Sequence, residues 1–351
     1  MSNRVLVAIG LCCVNLAAWC GSPGVTSGQS DTVYLINGAP VRGTVASTTM
    51  LSIKVRTSDG EQDVPVQNIR SITLADAPPE MTRATQRFGD NRFDDGLAEL
   101  EKITNPPRGG FVSHQLDYLR AFGMSQSALT GGNVPLREAG SAVNAFLKKY
   151  PESHQLIPMA ETLGRLLVLV GEHDLARSEF SKLVQCGWPE YELKGNYQLG
   201  ELNLLLNHGE EAEKNFASVM GSDVNTPAAV ALKSVSRCLR AKAMIMAGRG
   251  DEGRRAVEEI IQRESPDNQA LFAHAYNALG LYHMQRNDAQ SAVLAFLHTD
   301  LLFPSQADAH AEALYFLSQL YPKLGKNDDA YSARESLRSQ YRNSTWVNKL
   351  D

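Results

Sequence analysis

Residues 276–296 read YNALGLYHMQRNDAQSAVLAF, and this stretch decides the fold. Leu279 and Gly280 stand in one run of helical periodicity, Asn287 and Asp288 turn the chain, and Ala292 and Phe296 stand in a second run. Gly280 precedes Ala292 by 12 residues, and Phe296 follows it by 4. That spacing predicts a helical hairpin. Small residues at the two facing places let antiparallel helices touch, and the phenylalanine fills the space beside them.

The same frame recurs along the chain. Gly164, Ala176 and Phe180 repeat it, as do Gly200, Ala212 and Phe216. Looser copies are Ala241, Gly253 and Val257, then Ser318, Ala330 and Arg334. Successive first positions are 36, 41, 39 and 38 residues apart. Periods of that length mark stacked supersecondary units, none of which buries its apolar stripe alone. Upstream, residues 111–129 and 136–150 form a hairpin with an enlarged loop at Thr130, Gly131, Gly132 and Asn133. Residues 81–89 and 93–103 form a first, capping pair, and residues 328–341 form the closing helix.

The pairs Leu163-Gly164, Leu199-Gly200 and Leu279-Gly280, each followed by the alanine and phenylalanine above, resemble the tetratricopeptide repeat. The resemblance covers residues 77–351. It implies a mainly α fold, an α-solenoid of helical hairpins whose first helices line a concave groove. It also implies a groove that binds protein or peptide segments, through Thr162 and Arg165, Tyr197 and Glu201, Lys242, and Asn277 and Leu281. Arg165, Tyr197 and Glu201 depart from the lysine-and-asparagine pattern with which some members of the family clamp a terminal carboxylate. The phrases Tyr150-Pro151-Glu152-Ser153 and Phe303-Pro304-Ser305-Gln306 resemble repeat proteins of the bacterial cell envelope.

Ahead of the repeats, residues 31–76 alternate with the two-residue period of strands. Val33 and Leu35 precede an Asn37-Gly38 turn; Leu51, Ile53 and Val55 precede an Asp59-Gly60 turn; Val64, Val66, Ile69 and Ile72 follow. Five short strands predict a small β-barrel-like module, similar to SH3-like or Sm-like barrels. The junction Ala77-Pro78-Pro79 ends it, because proline donates nothing to a ladder.

Residues 1–22 read as a signal peptide and 23–30 as a flexible spacer. Arg4 precedes the 15-residue, largely apolar region of 5–19, VLVAIGLCCVNLAAW. A membrane-spanning helix needs about 20. The chain is therefore expected to be exported, to the periplasm or cell envelope. Membrane attachment follows only if Cys20 is acylated or the signal is retained, and Trp19 before Cys20 disfavours acylation. Cys186 and Cys238 lie in different repeats and are expected as free thiols.

The net charge of −5 and the absence of any basic cluster argue against nucleic acid. Nucleophile-elbow, phosphate-loop and zinc-protease motifs are absent from the sequence, and His274 and His283 stand nine residues apart. No catalytic residue, metal or cofactor is expected. The reading is a non-enzymatic exported scaffold that binds envelope proteins through the groove. The alternative is a self-assembling structural component of the envelope, a homo-oligomer joined through the β module.

Overall fold

The computed structural model describes residues 30–265 and 267–350. The expected signal peptide, Cys20 and nearly all of the spacer lie outside the described residues. The chain divides into two compact units at Val170 and Gly171.

The first unit opens with five antiparallel strands: β1 (Asp31–Leu35), β2 (Val41–Thr48), β3 (Ser52–Thr57), β4 (Gly60–Pro65) and β5 (Ile69–Thr73). Their order across the sheet is β4-β3-β2-β1-β5. β2 serves two neighbours. Its first half pairs with β1 and its second half with β3, with a bulge between Val45 and Ser47. A bulge bends its strand, so the sheet folds over its own apolar face. Asp31 fixes that bend: one carboxylate oxygen accepts the Val45 N–H at 2.8 Å, and the other accepts the Ala75 N–H at 3.0 Å. Val33, Val41, Val45, Ile53, Val55 and Val64 form the core beneath.

The barrel expected from the sequence does not close. β4 and β5 remain the two edges of the sheet. Pro65 ends β4 without an N–H to offer, and a 3-10 turn over Val66–Asn68 carries the chain across to β1. Val66 therefore leaves the strand run in which the sequence placed it. Leu51 is likewise 52% exposed, because it lies in the bend before β3 and outside the strand.

Five helices follow: α1 (Pro79–Gly89), α2 (Phe93–Glu101), α3 (Gly110–Leu129), α4 (Leu136–Lys149) and α5 (Leu156–Leu169). Each packs on the next in antiparallel succession. The sheet rests on the start of α3, where Phe111 and Val112 enter its core. A histidine pair completes that seam. His154 donates its backbone N–H to the Thr48 hydroxyl of β2 at 3.1 Å, and its ring Nδ1 is 2.9 Å from the same oxygen. His114 of α3 is buried, 2.9 Å from the Ser153 hydroxyl through Nε2, and edge-on to Tyr150 at 4.4 Å. The two imidazole centroids are 6.0 Å apart.

The second unit holds α6 (His173–Gln185), α7 (Pro189–Leu205), α8 (Gly209–Gly221), α9 (Pro227–Met246), α10 (Gly250–Arg263), α11 (Gln269–Gln285), α12 (Ala289–Leu302), α13 (Ala307–Leu320), α14 (Asn327–Gln340) and α15 (Thr345–Asn348). Consecutive helices pair as hairpins from α7 with α8 to α13 with α14, and α9, α11 and α13 also pack side by side. The closing helix expected at 328–341 is α14, but the chain does not stop there. A further short helix, α15, packs back on α13.

The frame residues do what their spacing implies. Phe216 and Phe296 are fully buried, and a Cβ added at Gly200 or Gly280 would lie 2.7 Å or 2.6 Å from their rings. Glycine is thus required by close approach. Gly280→Ala is expected to destabilise the protein by about 1–2 kcal/mol, since overpacking outweighs the gain in helix propensity. Gly140 of α4 is the internal control. A Cβ there meets nothing within 4 Å, so Gly140→Ala is expected to stabilise by about 0.5–1 kcal/mol. Urea unfolding of the two variants checks the opposite signs. The same sign for both refutes the close-approach account.

Cys186 and Cys238 are unpaired, as expected. Cys238 is buried in α9 with its thiol 3.5 Å from the Leu271 carbonyl, and burial pushes its pKa up to about 12.

Candidate functional site

Helices α9, α11 and α13 each carry polar side chains onto the face they share. Lys242 of α9 follows Ala241, the frame position where the hairpin packs tightly, so its stem runs along the helix contact. Its ammonium hydrogen-bonds to the Glu312 carboxylate of α13, 70 residues away. Between them, Asn277 of α11 donates its amide N–H to the other Glu312 oxygen at 3.0 Å and to the Ala309 carbonyl at 2.8 Å. Lys242, Asn277 and Glu312 are 6%, 0% and 3% exposed. A charge that far from water needs a partner and further hydrogen bonds, and this triad provides both.

Two polar atoms of the same face lack a hydrogen-bond partner among the described residues. They are Asn277 Oδ1 and His274 Nδ1. His274 precedes Gly280 by six residues, as Glu312 precedes Ser318, so the two occupy one position of the repeat frame. Burial, followed by the Lys242 ammonium, holds the His274 imidazole down to about 4, and it is neutral near pH 7.

Of the residues the groove pattern names, Lys242 and Asn277 are brought together. Tyr197 and Glu201 form a second group on α7. Tyr197 is half-buried, edge-on to Phe216 at 6.1 Å. Burial of its hydroxyl, then the Glu201 and Asp308 carboxylates, push its pKa well above the usual phenolic value. Asp308 belongs to α13, so α7 and α13 present charge to a common space. Leu281 packs instead into the core of α12, α13 and α14. Thr162 and Arg165 lie on α5 in the first unit, where the Thr162 hydroxyl donates to its own helix at the Pro158 carbonyl, 2.9 Å away.

Glu312 escaped the sequence reading. The signal was present: an acid past the first turn of ADAHAEALYFLSQL, amid alanines and at the frame position of His274. Among the described residues, no cluster of His, Cys, Asp and Glu is arranged to hold a metal ion. No helix there is long and apolar enough to cross a membrane.

No protein-family model and no curated protein matches the chain. Solved structures do. A tetratricopeptide repeat protein from Parabacteroides merdae, 16% identical, superposes with a TM-score of 0.54 over 78% of this chain and 96% of its own. A Rap protein complexed with competence and sporulation factor, 12% identical, superposes with a TM-score of 0.50 over 78% of this chain and 77% of its own. At such identities the likeness is one of architecture. The chain therefore has the tetratricopeptide-repeat fold, with a five-stranded antiparallel sheet ahead of its helices.

Proposed function

We propose that this chain is a non-enzymatic exported scaffold that binds segments of envelope proteins, and that the shared face of α7, α9, α11 and α13 is where its second unit does so. The observation that carries the reading is the buried Lys242, Asn277 and Glu312 triad, with unpartnered Asn277 Oδ1 and His274 Nδ1 beside it. A stack of hairpins needs only small and apolar residues between its first helices. Buried polar groups left short of partners cost about 1–3 kcal/mol each, so a face that keeps them is not built for stability alone. The Rap structure, solved in complex with competence and sporulation factor, supports a helical-repeat fold of this kind as a binder of another factor.

A photo-crosslinking phenylalanine in place of Tyr197 tests it. Tyr331 of α14, 66% exposed, serves as the comparison position. A discrete protein adduct from position 197, absent from position 331, is expected in producing cells. Identical adducts from both positions refute groove binding, and adducts containing only the chain itself move the weight to the self-assembling alternative.

A further inference from the structure

After α14 the chain turns at residues 341–344 and returns across the first-helix face. Ser344 caps α15 through its hydroxyl, which accepts the Trp346 N–H at 3.2 Å. Trp346 packs against Tyr315 and Phe316 of α13, with centroids 5.2 Å and 5.5 Å away. Tyr315 precedes Ser318 by three residues, the frame position that Tyr197 and Asn277 hold in their own repeats. Val347 and Leu350 join the same apolar cluster. Lys349 lies over the Trp346 ring at 4.6 Å and donates from Nζ to the Leu205 carbonyl at the end of α7, 3.3 Å away and 144 residues earlier. Burial lowers the Lys349 pKa, and the Glu312 and Lys242 charges both act on it. Residues 344–350 therefore span from α13 to α7 over the candidate site.

The hold is light. Every residue from 343 to 350 is half-buried or exposed, and α15 is a single turn. A turn that short has little stability of its own.

We infer that residues 344–350 are a resident occupant of the binding face, displaced by a short helical segment of a partner protein that offers an aromatic residue and, three positions later, a lysine or arginine. The aromatic ring takes the Tyr315 and Phe316 position. The cation takes the exposed carbonyl end of α7, where the helix dipole favours positive charge, within reach of the Glu312 field. Affinity for that partner is reduced by the fraction of chains whose face is occupied. The inference rests on the reading that this face binds protein segments.

The test uses the full chain and a labelled peptide of residues 342–350, RNSTWVNKL, followed by fluorescence anisotropy. Lys349→Glu opens the segment by placing a carboxylate against the Leu205 carbonyl, and it leaves the core untouched because Lys349 lies outside the apolar cluster. The peptide is expected to bind the Lys349→Glu chain at least about tenfold more tightly than the wild-type chain. Replacing the tryptophan of the peptide by alanine is expected to abolish that gain. Equal affinity for both chains, no binding to either, or indifference to the tryptophan overturns the inference. So does a concentration-dependent doubling of mass in the variant, which makes a second copy the occupant. Crosslinking from position 197 that succeeds while the peptide fails leaves the binding face standing and removes only the displacement.

Discussion

Glu312→Ala is expected to destabilise the second unit by about 3–5 kcal/mol, the usual cost of removing one member of a buried ion pair. The reason lies in what is left behind. Lys242 is 6% exposed, so its ammonium keeps neither the carboxylate nor water. Asn277 loses one of its two acceptors at the same time. Changing both partners together is a different experiment. Lys242→Met with Glu312→Leu removes two desolvated charges and fills their volume, and such swaps are neutral or stabilising by about 1–4 kcal/mol. Urea unfolding followed by tryptophan fluorescence reads both, because Trp188 and Trp346 lie in the second unit. A single variant that loses less than about 1 kcal/mol, the worth of an exposed pair, shows that the pair is solvated and the account wrong. A double variant that is stable yet yields no adduct from position 197 assigns the charges to recognition. Selection for stability alone would not have kept them.

The frame of the helices was legible because it is local. Gly280, Ala292 and Phe296 lie within 17 residues, and each acts through its immediate partner in one hairpin. The strands were legible for the same reason, since buried Val33, Ile53 and Val55 alternate with half-buried or exposed neighbours. What could not be read is what closes over distance. Lys242 and Glu312 are separated by an entire intervening hairpin, so no spacing rule links them. Asn277 fell on the groove pattern, yet its burial follows from α13 packing beside α11, which the repeat period does not determine. The open edge of β4 depended on where a 3-10 turn redirects the chain. The return of residues 344–350 had least signal of all, since one turn of helix is too short for periodicity to show.

Acidification is expected to loosen the first unit well before carboxylates begin to protonate. Burial holds His114 down to about 4. Burial, with His114 adding its charge, holds His154 down to about 3. Both titrate near 6.5 in an unfolded chain. Each folded-state pKa lies below the unfolded one, so the unfolded chain binds more protons throughout the interval between them. Stability is then complete above pH 6.5. It declines as pH falls through the interval, to about 4 for His114 and about 3 for His154. One pH unit below 6.5 costs roughly 1.4 kcal/mol per histidine, so by pH 5 the pair removes on the order of 3–4 kcal/mol. The seam between sheet and helices gives way first. His154 holds β2 through Thr48, and His114 lies beside Phe111, which enters the sheet core. The groups facing His114 do not remove the effect: the Asp117 carboxylate favours its protonation, and the Lys149 ammonium opposes it. Hydrogen exchange of residues 41–57 and 110–129, corrected for intrinsic rates at pH 7, 6 and 5, measures the loss. His114→Phe keeps an aromatic ring in the pocket and is expected to remove about half of the pH dependence, on the order of 2 kcal/mol by pH 5. A wild-type chain whose protection is unchanged between pH 7 and 5, or a His114→Phe chain with the wild-type profile, shows that these imidazoles already carry their protons in the fold.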